Sequence, residues 1–228
     1  MRIEVNSYKI WENIVCGEGC TISGNICAVS VSGGVEVNVS VHKFDPENRK
    51  KLNSKQRHAI LPPSQVLMDI GLSPQTTWAD IGCGTGFFTI PLASNVNEVY
   101  ALDIRSEMLA DLRESLKQQQ ILNVKVLQSE ESSFPIADQF NDGILTSLVL
   151  HEVDQPIEFF RELNRILKPN GRLVVIEWAK AATEMGPPVD HRLSIEQLDD
   201  WALSTGFRKV KSWQWSENFI GIEYCKMV

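Results

Sequence analysis

The alternation of apolar and polar residues divides the chain into two parts. Near the N-terminus, valines occupy every second position from Val35 to Val41, which predicts a β-strand with one buried face. A β-like run, Ile26–Val31, precedes it across a Ser-Gly-Gly turn, so the two runs are predicted to form a hairpin. We therefore predict a β-rich appendage over residues 1–41 and a separate domain over residues 42–228.

From residue 77 onward, short apolar runs alternate with segments whose apolar residues recur at helical spacing. This alternation is typical of a parallel sheet covered by helices on both faces. The last two apolar runs leave no room for a helix between them, so they are predicted to be antiparallel. The predicted strands are 77–81, 98–102, 124–128, 142–147, 172–178, 209–215 and 220–227. The fold class is therefore α/β.

The segment 78–88, WADIGCGTGFF, joins the first of these strands to a predicted helix. Gly82, Gly84 and Gly86 stand at alternate positions, and glycine permits positive φ and close approach of a ligand to the backbone. A strand that ends in such a turn and continues as a helix directs backbone N–H groups and the positive helix end toward one point. The sequence therefore predicts a cofactor-binding loop, which also contains Cys83.

Two acids accompany this loop. Asp80 lies at the tip of the same strand, and Asp103 ends the next apolar run, about 20 residues beyond the loop, where a ribose-binding carboxylate is expected. In the dinucleotide fingerprint G-x-G-x-x-G/A the third glycine would fall at Phe87. Here it comes one residue earlier, which disfavours a nicotinamide-dependent dehydrogenase.

The order of strand, D-x-G-x-G-x-G, helix, strand and acid resembles the class I S-adenosylmethionine-dependent methyltransferases. The likeness covers about residues 41–228. Segments 42–63, 80–86, 148–156 (LVLHEVDQP) and 177–188 (EWAKAATEMGPP) are similar to a ubiquinone/menaquinone-methyltransferase-like subgroup. The resemblance implies a seven-stranded sheet of order 3-2-1-4-5-7-6 with its last strand antiparallel, and S-adenosyl-L-methionine as the cofactor.

The resemblance also implies roles for individual residues. Asp80 would take the amino group of the donor, and Asp103 its ribose. Ser129 and Glu130 stand where the family usually has an acid near the adenine, and Thr146 would border the methionine end. The implied donor-binding residues are Asp80, Gly82, Cys83, Gly84, Gly86, Asp103, Ile104, Ser129, Glu130 and Thr146.

Two residues are candidates for catalysis. Methyl transfer from a sulfonium is an in-line displacement in which the protein mainly aligns the reactants and excludes water. His151 could accept a proton from a hydroxyl or phenol acceptor; alternatively, it is a loop histidine bonded to backbone. Glu177 lies near the end of a buried strand, where a carboxylate needs a partner. We expect it to face the acceptor or a cation of the N-terminal segment.

Composition narrows the other possibilities. The formal net charge of −7 and pI near 5.2 argue against binding to nucleic acid. A basic run at residues 49–51, continued by Lys55 and Arg57, is interpreted as a solvated helix face. The chain shows no apolar run of about 20 residues and no signal-peptide core. Its five cysteines make a disulfide framework improbable, so a cytoplasmic location is expected.

No metal is predicted. Cys16 and Cys20 match the spacing of metal-binding cysteines once, but Cys27 has no paired partner. Exposed strand edges in residues 1–41 favour a homodimer formed through this segment. The leading hypothesis is methyl transfer to an unidentified small molecule. The alternatives are a non-catalytic dimer that binds S-adenosylmethionine or S-adenosylhomocysteine, and an NAD-dependent oxidoreductase.

Overall fold

The structure, a computed structural model, describes residues 54–228 apart from residue 184, together with the backbone of three N-terminal strands. These strands are β1 (Ile22–Ser23), β2 (Ile26–Val31) and β3 (Val35–Ser40). They form an antiparallel sheet in the order β1-β2-β3, and the predicted hairpin is confirmed by the pairing of β2 with β3. The chain divides into two compact units, Met1–Lys43 and Phe44–Val228. The domain boundary between residues 41 and 42 stays a prediction.

The second unit contains a seven-stranded sheet in the order β6-β5-β4-β7-β8-β10-β9. Its strands are β4 (Thr77–Ile81), β5 (Glu98–Asp103), β6 (Val124–Gln128), β7 (Asn141–Ser147), β8 (Leu167–Trp178), β9 (Phe207–Gln214) and β10 (Phe219–Lys226). Within this sheet only β10 is antiparallel to its neighbours. The predicted order and the closing antiparallel strand are confirmed.

Six α-helices surround this sheet within the described residues: α1 (Lys55–Ile60), α2 (Pro63–Ile70), α3 (Thr89–Ala93), α4 (Ser106–Gln118), α5 (Pro156–Ile166) and α6 (Ile195–Ser204). Their ends follow local chemistry. Helix α6 begins at the predicted capping box, in which Ser194 and Gln197 each bond the other's backbone N–H. Helix α2 ends at Gly71, whose φ of +70° is accessible to glycine.

The two faces of the sheet carry separate hydrophobic clusters. Because successive residues of a strand point to opposite faces, Ala79 and Ile81 of β4 pack in one cluster, while Trp78 packs in the other. Val175 of β8 belongs to the first cluster. Asp80 therefore leaves the sheet on the face of Trp78, and Glu177 leaves it on the opposite face.

The structure bears on the membrane and metal predictions only within the residues that it describes. No helix among the described residues is long and apolar enough to cross a membrane. In the same part of the chain no cluster of three or more His, Cys, Asp or Glu residues could hold a metal ion. Cys16 and Cys20 lie outside the described residues, and for Cys27 only the backbone within β2 is described.

Candidate functional site

The loop after β4 requires its glycines. Gly82, Gly84 and Gly86 have φ values of +73°, +53° and +94°, a region that residues with a Cβ rarely adopt. A Cβ at Gly82 would also lie 2.2 Å from a methyl group of Val149. One at Gly86 would lie 2.5 Å from a methyl group of Leu112. The loop thus presents bare backbone at the carboxyl end of the central strands, where ligands bind in open α/β sheets.

The backbone N–H groups of this loop are already engaged within the protein. Gly82 and Cys83 donate to the carbonyl of Leu102, at 2.8 and 2.9 Å, and Gly86 donates to the carbonyl of Cys83 at 3.0 Å. Gly84 donates to a carboxylate oxygen of Asp103 at 2.9 Å. The prediction that these four N–H groups are free to point at a ligand is therefore wrong. The following helix, α3, begins only at Thr89 and has five residues.

Asp103 is anchored at the end of β5. One of its carboxylate oxygens accepts the N–H of Gly84 and the other that of Arg105, both at 2.9 Å. Burial raises the pKa of Asp103, although these hydrogen bonds oppose the rise. Because a carboxylate oxygen has more than one lone pair, Asp103 can accept further hydrogen bonds from two neighbouring hydroxyls while it stays anchored.

The other predicted residues on this side of the site are more open. Ile104 follows Asp103 and is 47% exposed. Ser129 donates its N–H to the carbonyl of Asp103 at 3.1 Å, which places the loop after β6 beside the end of β5. Glu130 is exposed.

Asp80 is buried at the carboxyl end of β4 and accepts a hydrogen bond of 2.5 Å from the hydroxyl of Thr89. Burial raises the pKa of Asp80 to about 7, with a further rise from Asp103; the Thr89 hydrogen bond and the charge of Arg57 act in the opposite direction. At neutral pH the carboxyl is therefore poised between its two protonation states, and a cation bound beside it would favour the ionised form.

Arg57 brings helix α1 over the glycine loop. Its guanidinium lies 4.1 Å from the ring centroid of Phe87, within the range of a cation–π contact. Burial lowers the pKa of Arg57 to about 10, against the attraction of Asp80, so the side chain stays charged at neutral pH. Arg57 is thus half-buried against Phe87 rather than solvated, whereas Lys55 is exposed and residues 49–51 lie outside the described residues.

The tip of β7 carries buried polar atoms that lack partners. The hydroxyl oxygens of Thr146 and Ser147 are buried and have no hydrogen-bond partner among the described residues. The next residue, Leu148, has a φ of +59°, which is unusual for a branched side chain. Because an unpaired buried hydroxyl is costly and successive residues point to opposite faces, these atoms indicate polar ligand contacts on either side of the tip of β7.

His151 and Glu177 form a buried pair at the tips of β7 and β8. Nδ1 of His151 lies 2.8 Å from a carboxylate oxygen of Glu177. Glu177 is 1% exposed and also accepts the N–H of Leu150 at 2.8 Å and that of Trp178 at 3.3 Å. With Nδ1 as the donor to Glu177, the Nε2 atom of the neutral imidazole is a proton acceptor.

The surroundings of His151 favour its protonation. Burial alone would lower the pKa of His151, and Arg192 acts in the same direction. The charge and hydrogen bond of Glu177, together with Glu152, whose carboxylate is 3.8 Å from Nε2, outweigh these effects and raise the pKa. The ring therefore takes up a proton more readily than a histidine in water.

Each member of this pair was proposed from the sequence, but not their contact. The partner that the structure gives Glu177 is His151, so a carboxylate, rather than backbone, holds the imidazole. The sequence analysis did not single out Arg192, and it assigned Arg57 to a solvated helix face. A buried arginine has the same sequence signature as a surface arginine; for Arg57, its position just before the sheet was the available signal.

Comparisons with known proteins agree with this geometry. A family model described as "Methyltransferase domain" matches residues 79–175. A demethylmenaquinone methyltransferase of Staphylococcus aureus (strain JH9) is 32% identical over 138 residues, which are 59% of this chain and 55% of that protein. One from Geobacillus sp. (strain WCH70) is 33% identical over 101 residues, which are 43% of each chain. The chain spans about half the length of the curated relatives it matches.

A solved structure covers more of the chain. The crystal structure of a SAM-dependent methyltransferase from Aquifex aeolicus is 32% identical and superposes with a TM-score of 0.77. The match covers 82% of this chain and 100% of that one. This match is longer than the segment 79–175 that the family model covers.

Proposed function

The chain belongs to the class I S-adenosylmethionine-dependent methyltransferases, and we propose that it transfers the methyl group of this donor to a hydroxyl-bearing aromatic small molecule of the quinol type. The observation that carries the proposal is the His151–Glu177 pair beside the glycine loop. The turn that holds His151 packs directly on that loop, because Val149 fills the space next to Gly82. A proton acceptor thus adjoins the place for the donor.

The described residues fit the donor. The anchored carboxylate of Asp103 suits the two ribose hydroxyls, and the buried carboxyl of Asp80 suits the donor's ammonium group. The unpaired hydroxyls of Thr146 and Ser147 suit its polar methionine end. The glycine loop with Cys83 provides close backbone contact, while Ile104, Ser129 and Glu130 border the side on which the adenine would lie. When bound, S-adenosylmethionine supplies a methyl group already activated on a positively charged sulfur.

The dyad then handles the proton of the acceptor. Nε2 of His151 takes the proton of the acceptor hydroxyl as this group, or the ring carbon it activates, becomes the nucleophile. Glu177 holds the imidazole in the required tautomer and stabilises the imidazolium that forms. The acceptor gains a methyl group and loses a proton, which passes from His151 to solvent, so the overall reaction releases one proton.

One finding supports a quinol-type acceptor. The matched relatives from Staphylococcus aureus and Geobacillus sp. are named for demethylmenaquinone, a quinone. The reduced form of a quinone carries the hydroxyl groups on which a proton acceptor such as His151 can act.

The test has two stages. Calorimetry with S-adenosylhomocysteine and with NADH measures the donor site, and we expect binding of the former only. A labelled-methyl assay then measures transfer to 1,4-dihydroxynaphthalene, the reduced form of naphthoquinone. Small thiols, arsenite and protein extracts are tested beside it. Label in the naphthalene ring or its oxygens supports the proposal. Binding of NADH alone, or label only in another acceptor, refutes it.

The non-catalytic reading is separated by the same assay. Tight binding of S-adenosylhomocysteine with no label in any acceptor favours a binding protein over an enzyme. The homodimer formed through the N-terminal β-strands stays a prediction, and sedimentation of the full chain over a range of concentrations measures it. A monomer at all concentrations contradicts that prediction without affecting the proposed reaction.

A further inference from the structure

The segment after β8 is organised around one side chain. We define the strap as residues 179–183 and 185–188, which follow Trp178. We propose that Arg192 is a positioning residue that holds the strap as a wall of the acceptor site. The inference rests on the proposed function, because it concerns the acceptor side of the same site.

Arg192 is bonded almost entirely to backbone carbonyl groups of the strap. The side chain is 2% exposed. Its guanidinium donates to the carbonyl oxygens of Ala179 (3.0 Å), Ala181 (2.8 Å), Met185 (2.6 Å) and Pro187 (2.9 Å) and to the hydroxyl of Thr183 (2.8 Å). All five partners lie in the strap, so this one side chain determines the path of the segment.

The character of these bonds favours a positioning role. A buried guanidinium is costly to desolvate, and apolar residues of similar volume stabilise a fold at least as well. Among the described residues Arg192 donates no hydrogen bond to a carboxylate; carbonyl dipoles supply the compensation. A planar fork with five N–H donors can gather several carbonyl groups in fixed directions, which the single ammonium of lysine cannot do.

The strap connects the two parts of the site. It starts directly after Glu177 and Trp178, and the guanidinium of Arg192 lies 5.6 Å from the Trp178 ring centroid. At Gly186, whose φ is +92°, a Cβ would lie 2.7 Å from that same ring. The strap backbone therefore packs against Trp178, the residue that follows the buried glutamate of the dyad.

At its far end the strap contacts helix α1. The side-chain amide of Gln56 lies 3.6 Å from the sulfur of Met185. The next residue of α1, Arg57, lies on the ring of Phe87 in the glycine loop. The strap thus extends from Trp178, next to the dyad, to helix α1, whose Arg57 contacts Phe87 beside the glycine loop. In our proposal, an acceptor between donor and dyad lies against it.

If the inference is correct, substitution of Arg192 weakens binding of the acceptor and leaves binding of the donor product unchanged. In Arg192→Lys and Arg192→Met, S-adenosylhomocysteine should bind within about twofold of the wild type, because the described hydrogen bonds of Arg192 all go to the strap. The KM for the dihydroxynaphthalene should rise by about tenfold or more, with a smaller change in kcat, since each lost carbonyl contact loosens the wall. Arg208→Met, an exposed arginine of β9, is the matched control and should change neither quantity.

Other outcomes are decisive as well. A folded Arg192 variant with an unchanged KM for the acceptor overturns the inference, as does a parallel loss of donor and acceptor binding. If both Arg192 variants fail to fold, Gly186→Ala replaces them, because it displaces the strap from Trp178 while Arg192 is kept; an unchanged KM in this variant likewise overturns the inference.

Failure of the proposed function is recognised separately. If the wild type transfers no methyl group, the affinity for the dihydroxynaphthalene is measured with S-adenosylhomocysteine present. Weaker binding by Arg192→Lys than by the wild type supports the wall, and equal binding refutes it.

Discussion

Replacing Asp80 by asparagine tests whether burial or the charge of Arg57 dominates the ionisation of Asp80 in the folded protein. Burial raises the pKa of Asp80 to about 7, against about 3.9 for an unfolded aspartate. The unfolded chain therefore loses this proton at a lower pH than the folded chain, and Asp80 makes folding less favourable as pH rises from about 4 to 7. Asparagine does not titrate, so Asp80→Asn should escape this loss.

The magnitude follows from the shift. Each pKa unit corresponds to about 1.4 kcal/mol. From pH 5 to about pH 7 the folded Asp80 keeps its proton while the unfolded one has lost it, so over about two pH units the wild type should lose about 3 kcal/mol relative to Asp80→Asn. The variant must also place an amide beside the Thr89 hydroxyl, at a cost of about 1–2 kcal/mol that does not depend on pH. The quantity to measure is therefore how the difference in unfolding free energy between the wild type and Asp80→Asn changes with pH.

Urea unfolding at pH 5, 6, 7 and 8 provides this measurement. Asp142→Asn on β7 is the matched control with the opposite sign. Burial would raise the pKa of Asp142, but hydrogen bonds from Lys168 and the Thr77 N–H lower it. A carboxyl whose pKa is lower in the folded state stabilises the fold at any pH above the unfolded pKa. This stabilisation is lost only in acid. Asp142→Asn should therefore be less stable than the wild type throughout this range.

A particular result would refute the reasoning. If Asp80→Asn is equally destabilised at pH 5 and pH 8, Asp80 is ionised throughout, and its attraction to Arg57 outweighs its burial. In either case the variant should bind S-adenosylhomocysteine about 10²-fold more weakly, because the amide offers no charge to the ligand's ammonium group. Unchanged affinity would remove Asp80 from the donor site.

The remaining predictions concern the dyad and the donor loop. Glu177→Gln should lower kcat by about 10²–10⁴-fold, because its amide can donate to Nδ1 and leave Nε2 protonated; a near-normal rate removes the dyad from the mechanism. In the wild type kcat/KM should rise with pH through a midpoint above about 6.5, since the base acts when neutral and the pKa of His151 is raised; a midpoint below that value contradicts the assignment. Asp103→Ala should weaken S-adenosylhomocysteine binding by about 2–3 kcal/mol, measured by calorimetry, while the exposed control Asp200→Asn leaves it unchanged. Gly82→Ala should abolish donor binding, because its methyl group would meet Val149; full binding would show that the loop adjusts.

Sequence pattern predicted the sheet because each strand has a local signal. Two strands, the central Thr77–Ile81 and the edge strand Val124–Gln128, begin and end at the predicted residues. The positions of Asp80 and Asp103 at strand tips follow directly from the apolar runs that precede them. Local periodicity is sufficient wherever burial on both faces determines which residues a strand can contain.

The features of the site that the sequence did not predict depend on contacts between residues far apart in the chain. Whether the N–H groups of the glycine loop are free depends on the carbonyl of Leu102, which belongs to another strand. The pairing of His151 with Glu177 joins residues 26 positions apart through the folds of β7 and β8. Arg192 is buried because strap carbonyl groups surround it. No composition or spacing rule encodes these arrangements.

Gly82 and Val149 are in direct contact, and in the proposed function they separate the space for the donor from the space for the acceptor. A side chain of one methyl group at position 82 would already overlap Val149, so the donor compartment cannot grow on that side unless the acceptor compartment gives up volume. Redesign for sulfonium donors with longer alkyl groups should therefore begin by shortening Val149, with the glycines left intact. Substitutions at these two positions are expected to succeed or fail as a pair.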